Sequence, residues 1–365
     1  MCGIASYVTT NNKQASQLEQ LKETENNYDA GITAEDVYKS YEGGEIIKIN
    51  TVDELLKIGS NEQKYINGKI YTFGTNATYE LEGDIEFTGD FREVASRIKE
   101  NNIVINGNDH QIVVTTASGT KEYYTKYSKY YIATNKYGYV LDGLELYYDG
   151  IDNTGTGEHS RTATTWKDLS GNGNDATIDG ECTWKNNSLD IEAGKIGTVC
   201  QNTTFSNLKS FTLLVTGDFD KATEKNNVYP RIISTNGNYT GIYQQINGVD
   251  FSIASNYEFI YSMASNGESN NNYTWEIYDN QNKNTTITAN WNQTTKRLVR
   301  TAGDKKKEVT VNKFDNLNCS KIAMGYVRNT TCGLYRYYKV QLYNRSLSDE
   351  EMEINNKADK VRFNI

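Results

Sequence analysis

One proline, two histidines and five cysteines in 365 residues remove several classes of chemistry before any motif is sought. With only His110 and His159, there is no supply for a zinc site of two or three histidines, nor a convincing base for a Ser-His-Asp triad. Cys2, Cys182, Cys200, Cys319 and Cys332 are too sparse for a disulfide scaffold, although Cys182 with Cys200 and Cys319 with Cys332 lie within hairpin reach of one another. The alternative is thiols that pack as small hydrophobes. No apolar run approaches the roughly 18 to 20 residues of a bilayer span, and mean hydropathy is -0.70. Basic clusters are also missing. At a net charge of -9, the nearest is Lys305 to Lys307, read as a solvated hairpin tip, so no nucleic-acid partner is expected. The start, MCGIASYVTTNN, lacks the basic and apolar regions of a signal peptide. An export signal removed earlier, another exit route, or residence inside a cell or virion all remain open.

What is abundant is tyrosine, with 28 residues, alongside Asn, Thr, Ile and Lys, a mixture suited to pleated surfaces. The fold class expected is mainly β. Residues 1–43 form a polar, partly helical arm with little apolar periodicity. Residues 44–120 form a small β-rich domain that starts with a helix in NTVDELLKIG, capped by Thr51 and ended by Gly59. It carries a second helix in FREVASRIKE. In NIVINGNDHQIVV, Asn106 and Gly107 suit a tight turn between two β-branched runs. The order of helix, YELEGDIEF and INGNDHQI resembles the opening coil of surface proteins built on a right-handed β-solenoid. Residues 121–140 hold seven tyrosines among lysines and read as a connector with some strand. From 141 to 365, short strands with turn signals every 8 to 12 residues imply a two-sheet sandwich. A helix follows, opened by the capping box of Ser348 and Glu351.

The segments LDGLELYYDGIDNTGTGEHS, TTWKDLSGNGNDATI, SLDIEAGKIGTV and YRYYKVQLYNRSLSDEEMEINN together resemble the laminin-G-like, concanavalin-type jelly-roll family over residues 141–365. The resemblance implies an antiparallel two-sheet jelly roll, a strand at Leu144 to Tyr148, and a module that binds glycans, proteins or cell surfaces more often than it catalyses. It also implies an extracellular, cell-surface or virion setting.

Catalysis is not expected. Glucanases of this fold use Glu-x-Asp-x-Glu on one strand, but here Ser188 stands where the nucleophile belongs, leaving Asp190 and Glu192 as solvated strand residues. The lyase pattern needs a Gln-x-His strand and an Arg-rich strand, both missing beside YRYYKVQLYNR. Two binding expectations remain. Asp168, Ser170, Asn172, Asn174 and Asp179 carry the oxygen spacing of a calcium loop, with the competing reading of a self-bonded turn beneath a core Trp166. Trp275, Trp291, Tyr243, Tyr257 and Tyr335 are candidates for a sugar-stacking face. The partners expected are a glycan or a surface protein, or further copies assembling through the N-terminal arm of a filament or virion. A degenerate glycosidase is the remaining alternative.

Overall fold

The computed structural model describes residues 46–365 apart from 67–68, 109, 128–129, 194–196, 202–204, 221–230, 236–247, 254–257, 265–276, 280–283, 313, 315, 320–321 and 326–333. The N-terminal arm therefore lies outside the described residues. The chain divides into two compact units, Met1–Leu141 and Asp142–Ile365.

In the first unit, helix α1 (Val52–Lys57) starts where the sequence places it. Thr51 Oγ1 accepts from the Glu54 amide at 3.3 Å, and the Glu54 carboxylate accepts from the Thr51 amide at 3.1 Å. Gly59 follows at φ 72, a left-handed conformation that favours glycine, and a Cβ there would come 2.5 Å from Ile103 Cδ1, which would have to move aside. Strands Ile46–Ile49, Thr78–Leu81 and Val104–Asn106 then stack in parallel, as do Ile85–Thr88 and Ile112–Thr115. Two successive coils thus lie one on the other. Helix α2 (Arg92–Glu100) links them along the chain and buries Val94 and Ile98.

The segment at Asn106 and Gly107 is a corner between sheets rather than a hairpin turn. Val104–Asn106 and Ile112–Thr115 belong to different sheets, and the positive φ falls on Asn108, at 47. The Asn108 side-chain nitrogen donates to Glu80 Oε1 at 2.8 Å and to the Leu81 carbonyl at 3.0 Å, tying one coil to the coil before it. The Tyr-rich segment completes the second sheet: Lys121–Tyr127 pairs with Ile112–Thr115 and with Tyr130–Thr134. Tyr124 and Tyr131 enter the core edge-on to Phe91, at 4.8 and 6.4 Å between centroids.

The second unit is a sandwich of two eight-stranded antiparallel sheets. One contains Leu144–Asp149, Cys182–Trp184, Leu189–Ile191, Phe211–Phe219, Asn284–Asn292, Arg297–Ala302, Lys305–Thr310 and Tyr335–Tyr343. The other contains Thr165–Trp166, Ala176–Gly180, Gly197–Gln201, Arg231–Ser234, Gly248–Ile253, Glu258–Ala264, Ile277–Asp279 and Ile322–Met324. Their facing side chains share one core, with Leu213, Val215, Ile287 and Trp291 on one side and Trp166, Ile232, Phe251 and Met324 on the other. The lysines of Lys305–Thr310 lie exposed along the last strand of their sheet, where charge discourages pairing with another chain.

A bulge decides which face each side chain takes in Tyr335–Tyr343. Lys339 pairs with Thr216 but Tyr337 pairs with Gly217, leaving Tyr338 as the extra residue. Tyr335 and Tyr337 therefore point into the core together with Val340 and Leu342, while Lys339 and Tyr343 meet the C-terminal helix. Gly217 is forced here, because a Cβ would stand 2.2 Å from the Arg336 carbonyl oxygen.

That helix, α3 (Asp349–Phe363), is opened by the capping box of Ser348 and Glu351. It docks through apolar and polar groups together, burying Met352, Ile354, Ala358 and Phe363 along with Glu351, Asn355 and Asp359. Asn355 donates to the Tyr343 hydroxyl at 3.0 Å, and Arg362 pairs with Asp149. Asn290 donates to the Leu347 carbonyl at 2.8 Å, and the Leu347 amide donates to Thr212 at 3.0 Å.

The Cys182 thiol donates to the Asp179 carbonyl at 3.4 Å and packs on the core, so of the two alternatives it takes that of a thiol packed as a small hydrophobe. Cys182 and Cys200 stand on strands of opposite sheets. Cys2, Cys332 and the side chains of Cys200 and Cys319 lie outside the described residues.

Candidate functional site

The stretch Trp166 to Asp175 assembles around one buried ring. Trp166 stacks on Tyr148 at 5.3 Å and meets Trp184 edge-on at 5.2 Å, while its indole nitrogen donates to the Asp149 carbonyl at 2.9 Å. The loop beyond it is organised by the Asp168 carboxylate. Oδ1 accepts from the Tyr147 and Ser170 amides at 2.9 and 3.0 Å, and Oδ2 accepts from the Asn174 amide at 2.9 Å and the Ser170 hydroxyl at 2.8 Å. Gly171 and Gly173, at φ 91 and 75, let the chain turn tightly enough to bring those donors in.

In this arrangement the loop takes the form of the competing reading, a self-bonded turn. The Asn172 and Asn174 side-chain nitrogens donate to the Leu144 and Glu145 carbonyls, tying the loop to that strand. Asp179 sits on the exposed end of Ala176–Gly180, where it accepts from its neighbour Gly180, because Ala176 to Ile178 runs extended and carries it away. No cluster of three His, Cys, Asp or Glu that could hold a metal ion occurs among the described residues. The loop is a turn that clamps the strand Leu144–Asp149.

The neighbouring loop is closed in the same manner. Asp149 accepts from the Ile151 and Asp152 amides, Asp152 from the Gly155 and Gly157 amides, and Asn153 exchanges two bonds with Ser160. His159 bonds the Gly150 carbonyl at 2.8 Å and packs edge-on against Trp184.

The expected aromatic face does not form from the residues that can be placed. Trp291 and Tyr335 have no exposed surface and belong to the sandwich core. Trp275, Tyr243 and Tyr257 lie outside the described residues. Asp190 is also corrected. It is buried, accepts from the Ser188 hydroxyl at 2.8 Å, and takes a two-pronged bond from Arg336, so it is an ion-paired strut rather than a solvated strand residue. Arg336 is held well above its ordinary range by that carboxylate.

An open feature lies beside the C-terminal end of α3. A groove of about 630 Å³ is bounded by the start of Asn284–Asn292, the Gly303–Asp304 turn and the last residues of the chain. Its wall carries the amides of Asn284, Asn356 and Asn364, the hydroxyls of Thr285, Thr286 and Thr301, and the charges of Asp304 and Lys360. Thr285 is buried, and its hydroxyl has no hydrogen-bond partner among the described residues. A site with this lining suits a ligand that both donates and accepts hydrogen bonds. These residues were not singled out from the sequence. Their trace there is the pair NKNTTITAN and EINNKADK, in which threonines and amides occupy positions a strand and a helix would otherwise fill with apolar side chains.

No protein-family model matches the chain, and no curated protein matches it. Solved structures do. The binding domain of botulinum neurotoxin DC in complex with SialylT is 15% identical, with 60% of this chain and 52% of that chain covered and a TM-score of 0.45. The same domain in complex with rat synaptotagmin II is 14% identical at the same coverage and TM-score. The binding domain of botulinum neurotoxin serotype D is 15% identical, again at 60% and 52%, with a TM-score of 0.45. The chain spans about half the length of these structures, and at this similarity they carry no argument about function.

Proposed function

We propose that the second unit is a non-enzymatic binding module acting at a surface or outside a cell, and that the groove beside α3 seats a glycan. The observation that carries this reading is the groove's wall, where three amides, three hydroxyls, two carboxylates and an ammonium converge with no aromatic ring among them. A hydroxyl-rich ligand satisfies such groups pair by pair, whereas an apolar one strands them. The resemblance of residues 141–365 to laminin-G-like jelly rolls supports the same class of function.

The test is a glycan array probed with the full chain, followed by titration of each hit against Asn284→Ala and Asn356→Ala. One lost hydrogen bond of about 1.4 kcal/mol weakens binding roughly tenfold per substitution. An empty array, or hits indifferent to both substitutions, removes the groove as the seat.

A further inference from the structure

Beneath α3, an amine and a carboxyl group are held together out of water. Lys339 lies on the helix-facing side of Tyr335–Tyr343 with no exposed side-chain surface, and Asp359 of α3 is 1% exposed. Lys339 Nζ stands 2.6 Å from Asp359 Oδ1. The other carboxyl oxygen, Oδ2, accepts from the Thr216 hydroxyl at 3.0 Å and the Thr286 hydroxyl at 2.9 Å. A second buried carboxylate, Asp149, is opposite Lys339 in the register of the neighbouring strand, and is itself held by the Tyr147 hydroxyl at 2.5 Å and by Arg362.

Ions in such a place lose hydration that their mutual attraction does not easily return. Passing one proton from the ammonium to the carboxylate leaves two neutral groups, which a low-dielectric site prefers. Burial pushes the Lys339 ammonium below its ordinary range in the same sense. That transfer would leave a neutral amine within reach of a carboxylic acid, with the two hydroxyls already directed at the oxygen that would carry charge during attack.

We propose that Lys339 and Asp359 condense within the folded protein to an intramolecular amide, a covalent staple between strand Tyr335–Tyr343 and helix α3. After proton transfer to Oδ1, the Nζ lone pair attacks Asp359 Cγ and the carbonyl electrons move to Oδ2, where Thr216 and Thr286 donate to the oxyanion. A second proton passes from Nζ to the Oδ1 hydroxyl. The Cγ–Oδ1 bond breaks, the carbonyl reforms on Oδ2, and one water leaves. The amine and the acid become an amide and water, with no oxidant, metal or second substrate. Asp359 lines the groove described above, which gives the water a way out. The staple does not depend on what the groove binds.

The experiment is the intact mass of the full chain, folded at neutral pH, then reduced and denatured, followed by peptide mapping. The expected result is a mass one water below that of the sequence and one branched peptide joining the segments around residues 339 and 359. Lys339→Met restores the full mass. Should that variant fail to fold, Thr286→Val keeps both reacting groups, removes one oxyanion donor, and slows the appearance of the lighter species. A wild-type chain that keeps its full mass after prolonged folding overturns the proposal. So does a water loss that mapping places elsewhere, for instance at an Asn-Gly or Asp-Gly step.

Discussion

Asp168 gathers four donors onto a single carboxylate, three of them backbone amides that would otherwise be left unsatisfied near the core. Its replacement by alanine strands those amides, and at about 1 to 3 kcal/mol for each buried group the net loss is about 3 kcal/mol after water reaches the exposed ones. Chemical denaturation of Asp168→Ala measures that loss, and the midpoint of the wild type is expected to be the same with calcium as with a chelator. Residue identities of this kind were legible in part. The turn could be read because Asp, Ser, Gly and Asn bond locally, within a few residues of themselves. The direction of Trp291 and Tyr335 could not, because aromatic side chains suit either face of a strand, and in Tyr335–Tyr343 the bulge at Tyr338 reverses the alternation that would have assigned Tyr335.

The three helices among the described residues show where local signals end. Thr51 and Ser348 cap α1 and α3 through contacts spanning three residues, which is why the sequence places both starts. Ser348→Ala removes the side-chain acceptor for the Glu351 amide and half of its capping box, and is expected to cost about 1 kcal/mol. The loss should be read from urea titration. The face by which α3 docks was hidden, since Glu351, Asn355 and Asp359 are among its buried residues and no apolar stripe betrays them. Their partners on Phe211–Phe219, Asn284–Asn292 and Tyr335–Tyr343 are distant in the chain. The candidate groove was hidden for the same reason. In the first unit, a local turn signal at Asn106 and Gly107 lost to long-range stacking: parallel pairing sends the strands on either side of that corner into different sheets.

At the scale of the whole chain, the two units have separate hydrophobic cores, one around Tyr79 and Ile105 and the other around Trp166 and Trp291. Ile105→Ala deletes fully buried methyl groups and is expected to cost about 3 kcal/mol. In calorimetry, only the endotherm of the first unit should move down, and a shift of both would mean that the units melt as one. The mainly β class was legible from composition and turn spacing. The stacked coils were legible only as a resemblance, because a single coil carries no sign of what will cover it. The course of the second unit's chain has one further consequence. Leu144 starts beside Tyr343, five residues later Asp149 lies opposite Lys339, and α3 returns the chain so that Arg362 reaches Asp149. Tension applied at residues 143 and 364 therefore runs along the strand instead of across it. The rungs between Leu144–Asp149 and Tyr335–Tyr343 would be loaded together in shear, not peeled one after another, so the unit should yield late and abruptly when stretched.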